Sequence, residues 1–430
     1  MLTTVNIILL IIYISIILIA SYAFWSVKRA NPVFWFLILQ GVISLGTLGI
    51  IDTRDSTEVL YATLFFLALL GFLVGAFFQH IYLDINKKSE IFFKKPIVED
   101  APLSRYFIYF LFIFSVVIVY QYYQIIGYNL FFDLVLGNQI TDFKTLRLAT
   151  YSGDNYYAPG YVNQFKNALL PLTTGYILYW FFVTNRKPIF YLSLIPLIII
   201  LLYSLLGTGQ RAPMLYALVG FLFSVSLLGK VEVKRIIIMV SFIIPLFGLF
   251  AVANERMVDI TFLDSLLQLI KRIFVNEQQE GILSFKYITT IDHAYFYEWL
   301  EGFMGILPNH PGSYLEHQAF YNLHGTDRGT SGVSTIASAY HNGGIFFVPI
   351  FYCFLGFLYT GIYSRFLSGP RTIIRSFGYG YLFFILSVYV GGAPVTLLNK
   401  GILVFLLILV IRKLRYNKAL QKELYTSDTL

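Results

Sequence analysis

The sequence predicts an all-α protein, a polytopic integral membrane helix bundle of about eleven transmembrane helices. Three observations carry this. Of the 430 residues, 57% are apolar, 18% aromatic and only 13% charged, whereas charged residues make up about a quarter of an ordinary soluble domain. Apolar runs near the roughly 20 residues that cross a hydrocarbon core recur along the whole length. Basic residues gather in alternate connections, as the positive-inside bias demands.

Taken in order, the expected spans are 5–24, 33–51, 59–81, 106–126, 164–183, 189–206, 212–228, 236–253, 345–363, 377–391 and 395–411. Met1–Ile7 lacks basic residues and no small-residue cleavage site follows, so Val5–Phe24 is expected to remain as the first helix. The single cysteine, Cys353, lies mid-span among Phe and Leu; it cannot form an internal disulfide and is expected to be a packing residue. Gly391-Gly392-Ala393-Pro394 separates the last two spans, and a broken hairpin is one outcome there. Lys400 then falls within a span, which favours a protein-lined or wet environment over lipid.

The charges set the expected orientation. With the N-terminus outside, the inner connections and the C-terminal tail hold 20 of the 31 basic residues. They include Lys28, Arg29, Lys87, Lys88, Arg186, Lys230, Arg365, Arg371 and Arg412. The net charge of +8 therefore reflects topology and anionic inner-leaflet lipid, and nucleic acid is not an expected partner. No P-loop pattern and no Rossmann fingerprint occurs, so a nucleotide is not the expected direct substrate. The whole chain, 1–430, is expected to form one membrane domain, with its two long connections, 127–163 and 254–344, outside.

The second of these connections is the only long polar stretch. It holds five of the six histidines, His293, His310, His317, His324 and His341, and three arginines, Arg256, Arg272 and Arg328. Phe262, Leu263, Leu266, Leu267, Ile270, Ile273 and Phe274 recur at helical spacing, predicting an amphipathic helix near 262–275. It lies either along the membrane surface or over the bundle as a lid. The histidine spacings include no HExxH pattern and come with no paired cysteines, so no metal is expected.

Arg211 is the first candidate for chemistry. It ends Gly207-Thr208-Gly209-Gln210-Arg211, a glycine-bearing outer turn, and Pro213 suits the first turn of the helix that follows. A guanidinium at a helix N-terminus suits phosphate or pyrophosphate, against the alternative of an arginine snorkelling to headgroups. Arg256 is a second anion contact or an ion-pair partner of Glu255 or Asp259. Arg147, with Tyr157 in the neighbouring Tyr151–Tyr157 stretch, offers charge and aromatic faces suited to sugar rings, or else belongs to an interfacial aromatic belt. His341, beside Asn342-Gly343-Gly344, is a candidate general base or phosphate ligand, with Glu280, Glu316 and Glu255 as competing bases. Arg272, Arg328 and His317 complete the substrate-binding candidates.

Three segments carry a resemblance. Gly207–Met214, Gln278-Gln279-Glu280-Gly281, and Gly332–Gly344 followed by an apolar span are similar to the O-antigen and oligosaccharide repeat-unit polymerases (the Wzy family) in order, helix count and placement of two outer loops. One departure stands out: many relatives carry an acid before the tyrosine, where this chain has Ser338-Ala339, so a role for that acid does not transfer. The resemblance implies a GT-C-like membrane glycosyltransferase in a bacterial inner membrane, N-terminus periplasmic and C-terminus cytoplasmic. It also implies polyprenyl-pyrophosphate-linked glycans as substrates, membrane lipids and a chain-length regulator as partners, and no cofactor. Arg211, His341 and Glu280 are the expected catalytic set. An O-antigen ligase and a lipid-linked oligosaccharide flippase are the rivals; nearly charge-free spans count against the flippase.

Overall fold

A computed structural model describes residues 3–24, 30–136, 146, 159–184, 194–210, 212–229, 267, 270–307, 310, 312–326 and 330–413. Among these the chain is helical, with only two isolated β-bridges. It divides into two compact units. Unit 1 comprises Met1–Ile91, Val233–Ser368 and Ile385–Asn399; unit 2 comprises Phe92–Glu232, Gly369–Phe384 and Lys400–Leu430. Five described helices are long and apolar enough to cross a membrane, and four shorter apolar helices accompany them, which is the make-up of a helical membrane protein. The expected span at 236–253, the first residues (189–193) of the expected span at 189–206, and most of the expected amphipathic helix at 262–275 lie outside the described residues.

Unit 1 opens with α1 (Thr4–Ala23) and α2 (Pro32–Ile50). Asn6 is buried in α1, and its amide donates to the carbonyls of Leu48 (3.1 Å) and Ile51 (2.9 Å) at the end of α2. A polar group in an apolar helix thus satisfies carbonyls that the neighbouring helix end leaves open. Then come α3 (Ser56–Tyr82) and α4 (Ile85–Lys94), with Asp55 capping α3 through the amides of Thr57 and Glu58.

Unit 2 contains α5 (Pro102–Ile126), α6 (Leu130–Val135), α7 (Pro159–Gln164) and α8 (Leu170–Thr184), the last two joined by a π-helical turn at Phe165–Leu169. It continues with α9 (Leu194–Leu206) and α10 (Ala212–Leu227). Val119, Tyr122, Tyr123, Ile126, Val162 and Leu170 form a buried cluster between α5 and the π-turn region. Where the chain re-enters unit 2, Arg371 donates to the carbonyls of Phe93, Lys95 and Leu228. Asp100 accepts from the Ile374 amide and the Tyr176 hydroxyl. Burial pushes the Asp100 carboxyl up to about 6.

Within the expected polar connection 254–344 the chain is helical too. A π-helical turn, Arg272–Asn276, runs into α11 (Glu277–Ile288), followed by α12 (Tyr297–Met304) and α13 (Leu315–His324). The described end of the expected amphipathic segment packs on α2: a side chain at Gly46 would meet the Phe274 carbonyl at 2.6 Å.

The long helix α14 (Thr335–Leu367) begins ten residues before the expected span at 345 and leaves helical geometry at Gly344 (φ 73°, ψ −171°). The apolar run after the kink is the part that hydropathy alone marks. Below the kink α14 packs backbone to backbone on α3. A Cβ at Gly71 would lie 2.2 Å from the Pro349 carbonyl oxygen, and one at Gly75 would lie 1.9 Å from that of Cys353. Small residues at four-residue spacing allow that approach where lipid supplies no hydrophobic drive between helices. On the opposite face Phe346, Ile350 and Phe354 stay exposed, an apolar strip suited to lipid.

The last elements are α15 (Ile373–Ser387) and α16 (Val395–Lys413). The hairpin between them is broken. Residues 388–394 are not helical, and pair with the chain just before and at the start of α14: the Thr335 amide donates to Val390 and the Gly392 amide to Val333.

Candidate functional site

Unit 1 contains a polar cavity of about 220 Å³. Its walls come from α12, the chain before α13, the first turns of α14, and residues 392–399. Polar side chains line it: Glu298, Ser313, Glu316, Ser338, Thr396 and Asn399. Gly302, Gly305, Gly312 and Gly392 complete the walls with bare backbone. Space of this kind, small and rich in hydroxyl, amide and carboxylate groups, suits one sugar ring held by hydrogen bonds rather than an apolar ligand.

The kink at Gly344 explains how the site is built. Just before it, the carbonyls of His341 and Asn342 accept hydrogen bonds from the amides of Ala294 (2.8 Å) and Phe296 (3.2 Å). Docking that segment requires left-handed backbone at Tyr295 (φ 47°) and Phe296 (φ 72°), strain of the kind that collects at functional sites. The next residues start α12, so Glu298 and Trp299 arrive directly beside α14. The Asn342 amide nitrogen donates to Glu298 Oε2 (2.7 Å) and to the Ser338 carbonyl (2.9 Å). Its Oδ1 accepts from the Trp299 amide at 3.4 Å, and Trp299 Nε1 donates to Ser338 Oγ at 2.9 Å. The Ser313 hydroxyl donates to Glu298 Oε1. Both carboxylate oxygens are therefore fixed from different elements. Burial nonetheless pushes the Glu298 carboxyl up, against the pull of those two donors.

Glu316 enters from α13, and its position depends on Gly392. That glycine has φ +79°, and a Cβ there would lie 2.7 Å from Thr396 Oγ1 and 2.8 Å from Glu316 Oε1. Only a residue without a side chain leaves these two groups where they are. A neighbouring layer ties α3, α11 and α14 together: Tyr61 stacks on Phe285 (4.5 Å) and donates to Ser334 Oγ (2.7 Å), while Lys286 pairs with Asp55 (2.7 Å) and Glu58 (2.5 Å).

Five of the residues singled out from sequence as site candidates are described, and one of them, the competing base Glu316, lines the cavity. His341 is buried one residue before Asn342 but does not line the cavity; its Nδ1 has no hydrogen-bond partner among the described residues. Glu280 sits in the first turn of α11, 3.9 Å from His324 Nε2, and is not part of the cavity wall. Arg272 is exposed and paired with Glu277 at 2.9 Å, and His317 is exposed on α13. Arg211, Arg147, Arg256, Arg328 and Tyr157 lie outside the described residues. The turn before Arg211 is described and is tightly anchored. Gly207 is enclosed by Asn129 and Tyr123, its carbonyl accepts from Leu130 (2.8 Å), and Gly209 has φ +68°. Glu298 was not singled out. Its only sequence signal is a carboxylate beside a tryptophan in Tyr297-Glu298-Trp299, which many surface helices share.

Among the described residues no group of three or more His, Cys, Asp or Glu is placed to hold a metal ion. Comparison with known proteins finds no family model, no curated protein and no solved structure that matches the chain.

Proposed function

We propose that this chain is a membrane glycosyltransferase that joins polyprenyl-pyrophosphate-linked oligosaccharide repeat units into polysaccharide at the outer face of a bacterial inner membrane. The observation that supports it is the polar cavity of unit 1, built from the long polar segment and from residues 392–399 and sized for a single sugar ring. On this proposal the cavity holds the acceptor sugar. Its hydroxyl and amide groups, with the backbone of the four glycines, orient the ring so that one hydroxyl faces a carboxylate.

The transfer needs little else. The acceptor oxygen attacks the anomeric carbon of the donor, the bond from that carbon to the pyrophosphate breaks, and the electron pair leaves with the lipid pyrophosphate. Charge grows on the leaving group, so permanent cations are the efficient stabilisers. Arginine grips phosphate oxygens through two parallel donors, and Arg211, after its anchored glycine turn, is proposed for that task, with Arg147, Arg256, Arg272 and Arg328 as further contacts. The scheme calls for no cofactor. A chain-length regulator is a proposed partner, and a periplasmic N-terminus with a cytoplasmic C-terminus puts the polar segment on the side of the lipid-linked repeats.

Deletion of the encoding gene tests this. A polymerase lost from the cell leaves surface glycolipid capped with a single repeat unit, because ligation continues. Bare core with accumulated lipid-linked polymer would instead identify a ligase, and repeats trapped on the inner leaflet a flippase.

A further inference from the structure

Two carboxylates reach the cavity, and their settings differ. Glu298 is buried and held at both oxygens, by Asn342 from α14 and by Ser313 from the chain before α13. Glu316 is half-buried and stands over Gly392 beside Thr396. Of the bases expected from sequence, Glu316 lines the cavity, His341 does not, and Glu280 lies on another helix next to His324. A base must come within hydrogen-bond reach of the proton it takes, so the assignment falls to a group on the cavity wall.

We infer that Glu298 is the general base of the transfer and that Asn342 is its positioning residue. This rests on the glycosyltransferase proposal and assigns a residue within it. The acceptor hydroxyl gives its proton to the Glu298 carboxylate as its oxygen bonds to the anomeric carbon. The bond to pyrophosphate breaks with its electron pair, and the proton passes from Glu298 to solvent between turnovers. Asn342 suits its role because every polar atom of its amide is engaged: Nδ2 by Glu298 and the Ser338 carbonyl, Oδ1 by the Trp299 amide. Its orientation is therefore fixed, and with it the carboxylate. Burial raises the proton affinity of Glu298, which brings a carboxylate closer to the working range of a base. The other titratable groups around it are Glu301 on its own helix, Glu316 across the cavity and Tyr389 on the broken hairpin.

The experiment uses the full-length protein in membranes, supplied with a lipid extract from cells lacking the chain, in which lipid-linked single repeats accumulate. Glu298→Gln keeps the shape and loses the base; we expect chain extension to fall at least 100-fold at matched folded protein, with repeat-unit lipid still bound. The wild-type rate should decline on the acid side with a midpoint above the ordinary carboxylate range. Asn342→Leu removes a donor to the charged form and should move that midpoint upward; a merely structural role for Asn342 would lower the rate and leave the midpoint in place. Should Glu298→Gln fail to accumulate, Ser313→Ala carries the same expectation of an upward shift from the other carboxylate oxygen. Extension by Glu298→Gln within threefold of wild type, or a midpoint unmoved in Asn342→Leu and Ser313→Ala, overturns the inference. Wild-type membranes that extend nothing from this extract refute the glycosyltransferase proposal itself, a separate outcome.

Discussion

Gly392→Ala places one methyl group against two polar side chains of the cavity wall, Thr396 and Glu316. Two effects follow, and the structure separates them. The first is backbone strain: φ at Gly392 is +79°, a conformation that costs a residue with a Cβ roughly 1–2 kcal/mol. The second is crowding. The new Cβ would lie 2.7 Å from Thr396 Oγ1 and 2.8 Å from Glu316 Oε1, when ordinary contact begins at 3.4 Å. Both side chains must retreat by more than half an ångström. Both are flexible ends, so the fold survives, but polar groups at a transfer site lose their register, and a misplacement of about 1 Å costs on the order of 10²-fold in rate. The expected outcome is a stability loss of about 1–2 kcal/mol together with a 10- to 100-fold slower extension of lipid-linked repeats. Gly325→Ala is the matched control. Its φ of +67° imposes comparable strain, but nothing lies within 4 Å of its Cβ position, so it should lose similar stability and keep its activity. Thermal unfolding in detergent and polysaccharide ladder length at equal protein level read the two effects apart. Equal activity in the two variants would refute the claim that this cavity is the working site.

The remaining predictions concern stability. Gly75→Leu should open the α3–α14 contact, because its Cβ would fall 1.9 Å from the Cys353 carbonyl oxygen and two backbones cannot yield as side chains do; a loss of about 3 kcal/mol or more is expected. Gly361→Ala, on the α14 side of the same contact, meets only Gln79 at 3.6 Å and should be close to neutral; similar thermal shifts for the two would refute the packing account. Asp100 titrates in the folded state near 6, against an ordinary value of 3.8. The folded chain therefore binds that proton more tightly, and stability falls as pH rises from 4 to 6 and stays lower above it. The difference corresponds to about 3 kcal/mol. Asp100→Asn should flatten the dependence over that window while an amide oxygen still accepts from Ile374; a dependence unchanged in the variant would move the effect to another group.

The helical membrane character was legible because it rests on composition and run length, which survive any detail of packing. The broken hairpin was legible as one outcome from Gly391-Gly392-Ala393-Pro394, since two glycines and a proline interrupt a helix whatever surrounds them. The start of α14 was not. Thr335–Gly344 is polar and glycine-ended and reads as loop, yet it is helical because Ser334 caps it, accepting from the Ala337 amide, and because Tyr61 and residues 388–394 hold it from outside. The cap is local, but the contacts from Tyr61 and 388–394 come from more than fifty residues away in sequence and are invisible to a local pattern. Glu298 was missed for the same reason. A carboxylate between a tyrosine and a tryptophan says nothing of its burial until Asn342 is placed 2.7 Å away. Ser338 lines the cavity, whose carboxylates come from Glu298 and Glu316.

The cavity occurs where helical order fails, and this is a physical consequence of what a membrane chain can tolerate. Backbone that leaves helical geometry at membrane depth must find other partners, so it is confined to places buried in protein or lining a polar space. Among its described residues, unit 1 interrupts helical order at Gly344 and at 388–394. The carbonyls of His341 and Asn342 are met by Ala294 and Phe296; the amides of Thr335 and Gly392 are met by Val390 and Val333. Each break thus recruits a further segment, and the segments recruited bring in Glu298 and the wall from Gly392 to Asn399. The backbone pairing supports the fold, while the side chains projecting from it are left to face the cavity. Under the proposed function, Thr396 and Asn399, which line the cavity from the start of α16, are the positions where sequence can vary to suit a different sugar without loss of the scaffold, whereas Gly344 and Gly392 are fixed by the backbone itself.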